Sequence, residues 1–338
     1  MKASKIIEGA MLAAAAGTAA ATGKFFNDVV CREKCMPPIR RRTFRVKKDR
    51  KEHVSPYQDV LEEGKKWLKK MEPQSEYFML QSFDGLTLTA RMIPADKDCG
   101  RVVLAVHGYK GSGEKDYAVM ARMFHEAGYH VLLVDNRAHG ASEGKYVGFG
   151  CLDKEDCYRW IQHLNRRFKG KCDIFLHGVS MGAATVLMTS ELNLPPAVKG
   201  IVADSPYTSP MEVFEAVASG RKGGKLAAKA VLTCGDILCR IKAGYGFLDC
   251  SAEEAVTKTR IPIFLIHGER DRMVPPEMSE RIYHACVSPK KLWIAKKAGH
   301  LEVFYKYPRE YRRRVLEFYE ACENGSLVKT EKESRVGV

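Results

Sequence analysis

The stretch LHGVSMGAATVLM, residues 176–188, constrains the fold of this chain more tightly than any other. An apolar, strand-like run leads into Ser180, and an Ala-rich, helix-like run leaves it. Gly178 and Gly182 stand two residues to either side. A serine at an abrupt strand-to-helix turn takes a strained backbone conformation that pushes its Oγ outwards. Bulkier residues at 178 or 182 would collide with the adjacent strand and helix. The helix N-terminus leaves free N–H groups beside the serine, where negative charge is favoured. The plainer alternative is a serine that caps a helix in a glycine-rich turn.

The surroundings of this turn predict an α/β protein. EYFMLQSFDGLTLTARMIPA reads as two strands with a turn at Asp84-Gly85. Short apolar strands then alternate with helices. Strands are expected at 101–108, 129–137, 172–180, 198–206, 261–269 and 291–300. Helices are expected near 114–127, 153–168, from 180, near 276–287 and at about 304–321. This alternation implies a mostly parallel central sheet with helices on both faces. Ligand chemistry in such sheets gathers outside the carboxyl ends of the strands. Residues 211–258 lack a clear core strand and read as a helical cap inserted over those ends. Within it, Lys222, Lys225 and Lys229 could favour anionic substrates, although solvated charge is the plainer reading. The expected organisation is a leader, basic linker and helix over 1–72, a catalytic domain over 73–325 and a polar tail over 326–338.

The formal charge is +14, and residues 1–72 hold 17 Lys/Arg against 9 Asp/Glu, or +8. The densest run is IRRRTFRVKKDRK, residues 39–51. It suits a solvated connector or contact with anionic lipid head groups, so membrane-surface association through residues 1–51 is an expectation. No nucleic-acid-binding module is recognisable. The N-terminal MKASKIIEGAMLAAAAGTAAATGK has the basic start and A-x-A patterns of a signal peptide, yet Glu8 interrupts it. A soluble or peripheral helix, a weak anchor and a cleaved signal all remain open. The eleven cysteines are irregularly spaced, without a C-x-x-C pair, so no zinc site is expected. Their usage suits a reducing compartment, which favours a cytoplasmic or membrane-associated location over secretion.

A serine nucleophile needs a base and an orienting acid. The acids at strand ends are Asp135, Asp204 and Asp271, with Glu269 beside the last. Asp271, in HGERDRMVP, is preferred because its loop leaves the expected face. His107, His177 and His267 each precede a glycine at a strand end and read as braces. His125, His163 and His284 lie within helical patterns. With the order serine, acid, histidine, the base follows Asp271. His300, in AGHLEV directly after the last strand, is favoured over His284. Met181, the residue after the serine, would supply one oxyanion N–H, and Tyr109 in HGYKGSG (107–113) the second. A phosphate-binding reading of that loop fails because G-x-x-x-x-G-K-[ST] is not met.

In order along the chain, HGYKGSG, DNRAHGASEG, GVSMG, HGERDRMVP and AGH resemble the α/β-hydrolase family of serine esterases and peptidase-like hydrolases. The resemblance extends to bacterial hydrolases with an apolar N-terminal segment and covers roughly 76–321. It implies Ser180 as nucleophile, Asp271 as acid, His300 as base, and Tyr109 and Met181 as oxyanion donors, without metal or cofactor. A small-molecule acyl ester is the expected substrate. Thioesters, amides and a catalytically silent binding module are the alternatives. One departure is Arg137-Ala138-His139-Gly140, where many relatives carry R-G-H-G.

Overall fold

The computed structural model describes residues 15–32, 56–97, 99–219 and 225–327. The basic run at 39–51, Lys222 and the tail beyond 327 lie outside them.

Eight strands form one sheet: β1 (Glu76–Gln81), β2 (Thr87–Ile93), β3 (Arg101–Val106), β4 (His130–Asp135), β5 (Asp173–Val179), β6 (Val198–Asp204), β7 (Ile263–Gly268) and β8 (Lys290–Ala295). Their order is β1-β2-β4-β3-β5-β6-β7-β8. β1 and β2 form the expected hairpin, and β2 runs antiparallel to β4. All further pairings are parallel. Gly85 turns the hairpin at φ +86°, a conformation glycine adopts without steric cost.

The strand period of two explains the two-sided core. Val102, Leu104 and Val106 of β3 enter one apolar cluster, whereas Val103 and Ala105 enter the other. β7 divides in the same way, with Ile263 and Leu265 on one face and Phe264 and Ile266 on the other. Both faces need cover, so the strands carry continuous apolar runs.

The helices are α1 (15–25), α2 (Gln58–Lys70), α3 (Gly113–Tyr117), α4 (Met120–Glu126), α5 (Asp153–Arg167), α6 (Met181–Thr189), α7 (Pro210–Ser219), α8 (Lys225–Ala243), α9 (Ala252–Ala255), α10 (Pro276–Ala285), α11 (Val303–Lys306) and α12 (Pro308–Glu323). The stretch expected as one helix near 304–321 is divided at Tyr307-Pro308: Pro308 offers no N–H and disfavours helical geometry at the residue before it. Trp160 and Ile161 of α5 and most of α6 cover the first face, while Leu68 of α2, Phe124 of α4 and Phe318 of α12 cover the second. α7 and α8 make up most of the region expected as a cap, and α7 begins six residues after the end of β6.

Two arrangements were not expected. Cys151 and Cys250 form a disulfide that joins the loop after β4 to the chain beyond α8. The other described cysteines are free thiols. Residues 22–32 near the N-terminus are docked on the body of the fold. After α1, a single π turn at Phe26–Val30 buries Phe26 and Val30, and Cys31 bridges to Tyr146. Among the described residues no helix is long and apolar enough to cross a membrane.

Candidate active site

Ser180 stands between β5 and α6 with φ +54° and ψ −116°, a region that L-residues enter only under restraint. The restraint is visible. Its N–H donates to the Asp204 carbonyl at 2.8 Å, and its own carbonyl accepts from the Ala184 N–H at 3.1 Å. A Cβ at Gly178 would lie 2.3 Å from the Gly182 carbonyl oxygen, and one at Gly182 would lie 2.0 Å from that of Val106. The two glycines therefore let strand and helix close to a distance that no side chain permits. All nine residues of α6 are buried, so the helix behind the serine is rigidly seated.

Asp271 lies in the loop after β7 and His300 in the loop after β8. The two loops are laced together by their backbones. Glu269 N–H donates to Ala295 O at 2.9 Å, and Arg270 N–H to Ala298 O at 2.8 Å. A Cβ on Gly268 would sit 2.4 Å from the Gly299 oxygen. Three side chains thereby meet. His300 Nδ1 is 2.6 Å from Asp271 Oδ2, and His300 Nε2 is 2.9 Å from Ser180 Oγ. A carboxylate only accepts, so Nδ1 carries the proton and Nε2 turns its lone pair to the serine hydroxyl.

The other Asp271 oxygen accepts from the Met273 and Val274 N–H groups, each at 2.9 Å. His267 Nε2 lies 3.3 Å from Asp271 Oδ2 and 2.9 Å from the Val274 carbonyl. Both partners of Nε2 accept, so it carries the proton, and His267 Nδ1 accepts from the Ser279 hydroxyl at 2.7 Å. Burial by itself would raise the Asp271 carboxyl. The hydrogen bonds from His267, His300 and the Val274 N–H outweigh it and hold the group well below the usual carboxylate range.

The remaining acids serve other ends. Asp204 is buried beneath Ser180, where Ser205 Oγ donates to it at 2.9 Å and the Tyr311 hydroxyl at 3.1 Å. Burial pushes its carboxyl up to about 6. Asp135 accepts the Gly113 and Ala141 N–H groups, and Glu269 accepts that of Lys297. His284 lies in α10.

The loop 107–113 runs beside the serine: a Cβ on Gly108 would be 3.3 Å from Ser180 Cβ. Its backbone is tied at several points. Gly108 O accepts from His107 Nδ1 at 2.7 Å and from the Gly111 N–H at 3.1 Å. That carbonyl belongs to the peptide that carries the Tyr109 N–H. Gly108 N–H donates to Asp116 Oδ2 at 2.9 Å, and Lys110 N–H to His139 Nε2 at 3.1 Å. Burial lowers both His107, to about 3, and His139, which keeps these rings neutral and able to accept. Met181 opens α6, where the first backbone N–H groups have no partner within the helix.

Several residues at this site were not singled out in the sequence. Phe25, Phe149, Phe214 and Phe247 form a cluster of rings, with centroids 5.4 Å apart for Phe25–Phe214 and 4.9 Å for both Phe149–Phe214 and Phe214–Phe247. Tyr109 joins it through Phe149, at 5.3 Å. The only signal for Phe25 and its neighbours was the apolar spacing in KFFNDVV, which blends into the leader-like segment. Asp116 carries no motif at all. Ala138, the departure from R-G-H-G, takes φ +60°, the left-handed conformation for which glycine is suited.

A sequence model of the family described as serine aminopeptidase, S33, matches residues 98–234. An uncharacterized Bacillus subtilis protein, YqkD, is 26% identical over 261 residues, which cover 74% of this chain and 85% of that protein. The lysophosphatidylserine lipase ABHD12 of Danio rerio is 25% identical over 56% of this chain and 48% of its own length. Among solved structures, the Pyrococcus furiosus esterase Pf2001 superposes with a TM-score of 0.59 at 25% identity, covering 75% of this chain and 94% of that one.

Proposed function

We infer that the chain belongs to the α/β-hydrolase superfamily, and from that premise we propose that it is a serine hydrolase cleaving carboxylic esters through an acyl-enzyme. In this reading Ser180 Oγ attacks the acyl carbon while His300 Nε2 takes its proton. Asp271 holds the imidazole in the required tautomer and stabilises the charged form. His300 then protonates the leaving alcohol, and a water activated by the same nitrogen releases the acid. The Tyr109 and Met181 N–H groups are assigned to the developing oxyanion, each donor worth about 3 kcal/mol of barrier. The observation that carries the reading is the continuous hydrogen-bonded chain from Asp271 through His300 to Ser180, at the carboxyl ends of three parallel strands. The ester assignment draws on the likeness to the Pyrococcus esterase, and the lipase relative keeps glycerolipid esters within the class.

A second reading is an aminopeptidase with the same residues, favoured by the description of the matching family. Parallel assays on p-nitrophenyl acyl esters and aminoacyl p-nitroanilides separate the two. Ester turnover that vanishes in Ser180→Ala supports the esterase, and preferential anilide turnover supports the peptidase. No turnover of either by folded protein would leave a binding module. Association with a lipid surface through residues 1–51 belongs to this proposal too. It is tested by cosedimentation with vesicles containing anionic lipid, before and after neutralising the basic run at 39–51.

A further inference from the structure

The Tyr109 side chain is anchored from a part of the chain eighty residues away. Its hydroxyl donates to the Val29 carbonyl at 2.9 Å, with the Asp28 carbonyl at 3.3 Å. The residues that flank those carbonyls are held in place. Phe26 and Val30 are buried, and the Val147 N–H donates to Val30 O at 2.8 Å. The Arg32 N–H donates to Lys145 O at 2.8 Å, and its guanidinium donates to the carbonyls of Ser142 at 2.6 Å and Gly140 at 2.8 Å. Phe25 is wedged against Phe214 and Phe247, and its ring also meets Gly235 of α8. Residues 25–32 thus form a strap clamped at both ends, with its middle carbonyls turned to Tyr109.

The peptide that bears the Tyr109 N–H is fixed at its carbonyl by His107 and Gly111. The other end of the same peptide is the Tyr109 Cα, and the strap holds the side chain on that Cα at its tip. We propose that Phe25–Arg32 is a positioning element of the oxyanion site, acting through the Tyr109 hydroxyl to fix the direction of the Tyr109 N–H. The inference rests on the serine-hydrolase reading. It gives the N-terminal segment a part in the chemistry, distinct from any role as a leader or lipid contact.

The test uses full-length Tyr109→Phe, which keeps the ring and removes the hydroxyl, and Arg32→Ala, which releases one end of the strap. Wild type is first labelled with a fluorophosphonate. Misdirection of one donor should then lower kcat for a p-nitrophenyl ester about tenfold in Tyr109→Phe, with KM changed by less than about twofold. Affinity for a trifluoromethyl ketone, which forms a tetrahedral adduct, should weaken by the same factor as kcat/KM, as expected of an interaction made only in the transition state. Arg32→Ala should shift both quantities in the same direction. A purely structural contact would lower the melting temperature without that kcat and analogue signature. Unchanged kcat in Tyr109→Phe, or a rise in KM alone, overturns the proposal while the labelling of wild type upholds the serine. Unlabelled, folded wild type overturns the serine reading and takes this proposal with it.

Discussion

Ser180, Gly178 and Gly182 act as one unit, because the strained turn exists only while the flanking backbones touch. Gly182→Ala places a methyl 2.0 Å from a carbonyl oxygen of β3 that cannot retreat. It should cost about 3 kcal/mol or more in chemical denaturation. Asp271→Asn keeps the shape of the site and disturbs the imidazole tautomer, so kcat should fall about 10⁴-fold; a loss below about tenfold would mean that Asp271 does not orient His300. Ala138 offers the opposite case, since it occupies a left-handed position suited to glycine. Ala138→Gly should be neutral or stabilise by up to about 1 kcal/mol in the same denaturation assay, the relief of strain offsetting the greater freedom of the unfolded chain. The meeting of Ser180, Asp271 and His300 was legible from sequence because each lies at a strand end with a local signature. The grip of Val29 on Tyr109 was not, because nothing local in HGYKGSG encodes a partner eighty residues distant.

The strands could be read from their apolar runs, and their parallel order from the alternation with helices. Helix interruptions were harder. α11 and α12 read as one element because their apolar spacing continues across Tyr307, and Pro308 alone marks the break. The Cys151–Cys250 pair was invisible because cysteine spacing carries no record of which loops a long insertion brings together. That disulfide closes a separation of 99 residues between the loop after β4 and the chain beyond α8. By the loop-entropy argument, Cys151→Ser with Cys250→Ser should lose up to about 4.7 kcal/mol of stability. The check is a denaturation midpoint with and without reductant, which should move in wild type and not in the double variant.

In the molecule as a whole, the surroundings of the candidate site hold acids in dry places. Burial pushes Asp116 up to about 6, against the pull of the Gly108 N–H and Lys115. A carboxyl whose folded pKa lies above its unfolded value near 3.9 contributes stability that is fully present below about pH 4. That contribution is lost as pH rises through about 6 and then stays level. Asp116→Asn keeps an acceptor for Gly108 and does not ionise. Its melting temperature relative to wild type should therefore be higher at about pH 8 than at about pH 4, and a pH-independent difference would show that Asp116 is not perturbed.

The proposed chemistry depends first on Ser180 as the nucleophile. It is tested most directly by treating the full-length protein with a fluorophosphonate, following ester turnover and mapping the adduct by peptide mass spectrometry. One adduct is expected, on the peptide containing Ser180, formed in step with loss of turnover, absent from Ser180→Ala and much slowed in His300→Ala. An adduct on another residue, or turnover that survives full modification of Ser180, would contradict it.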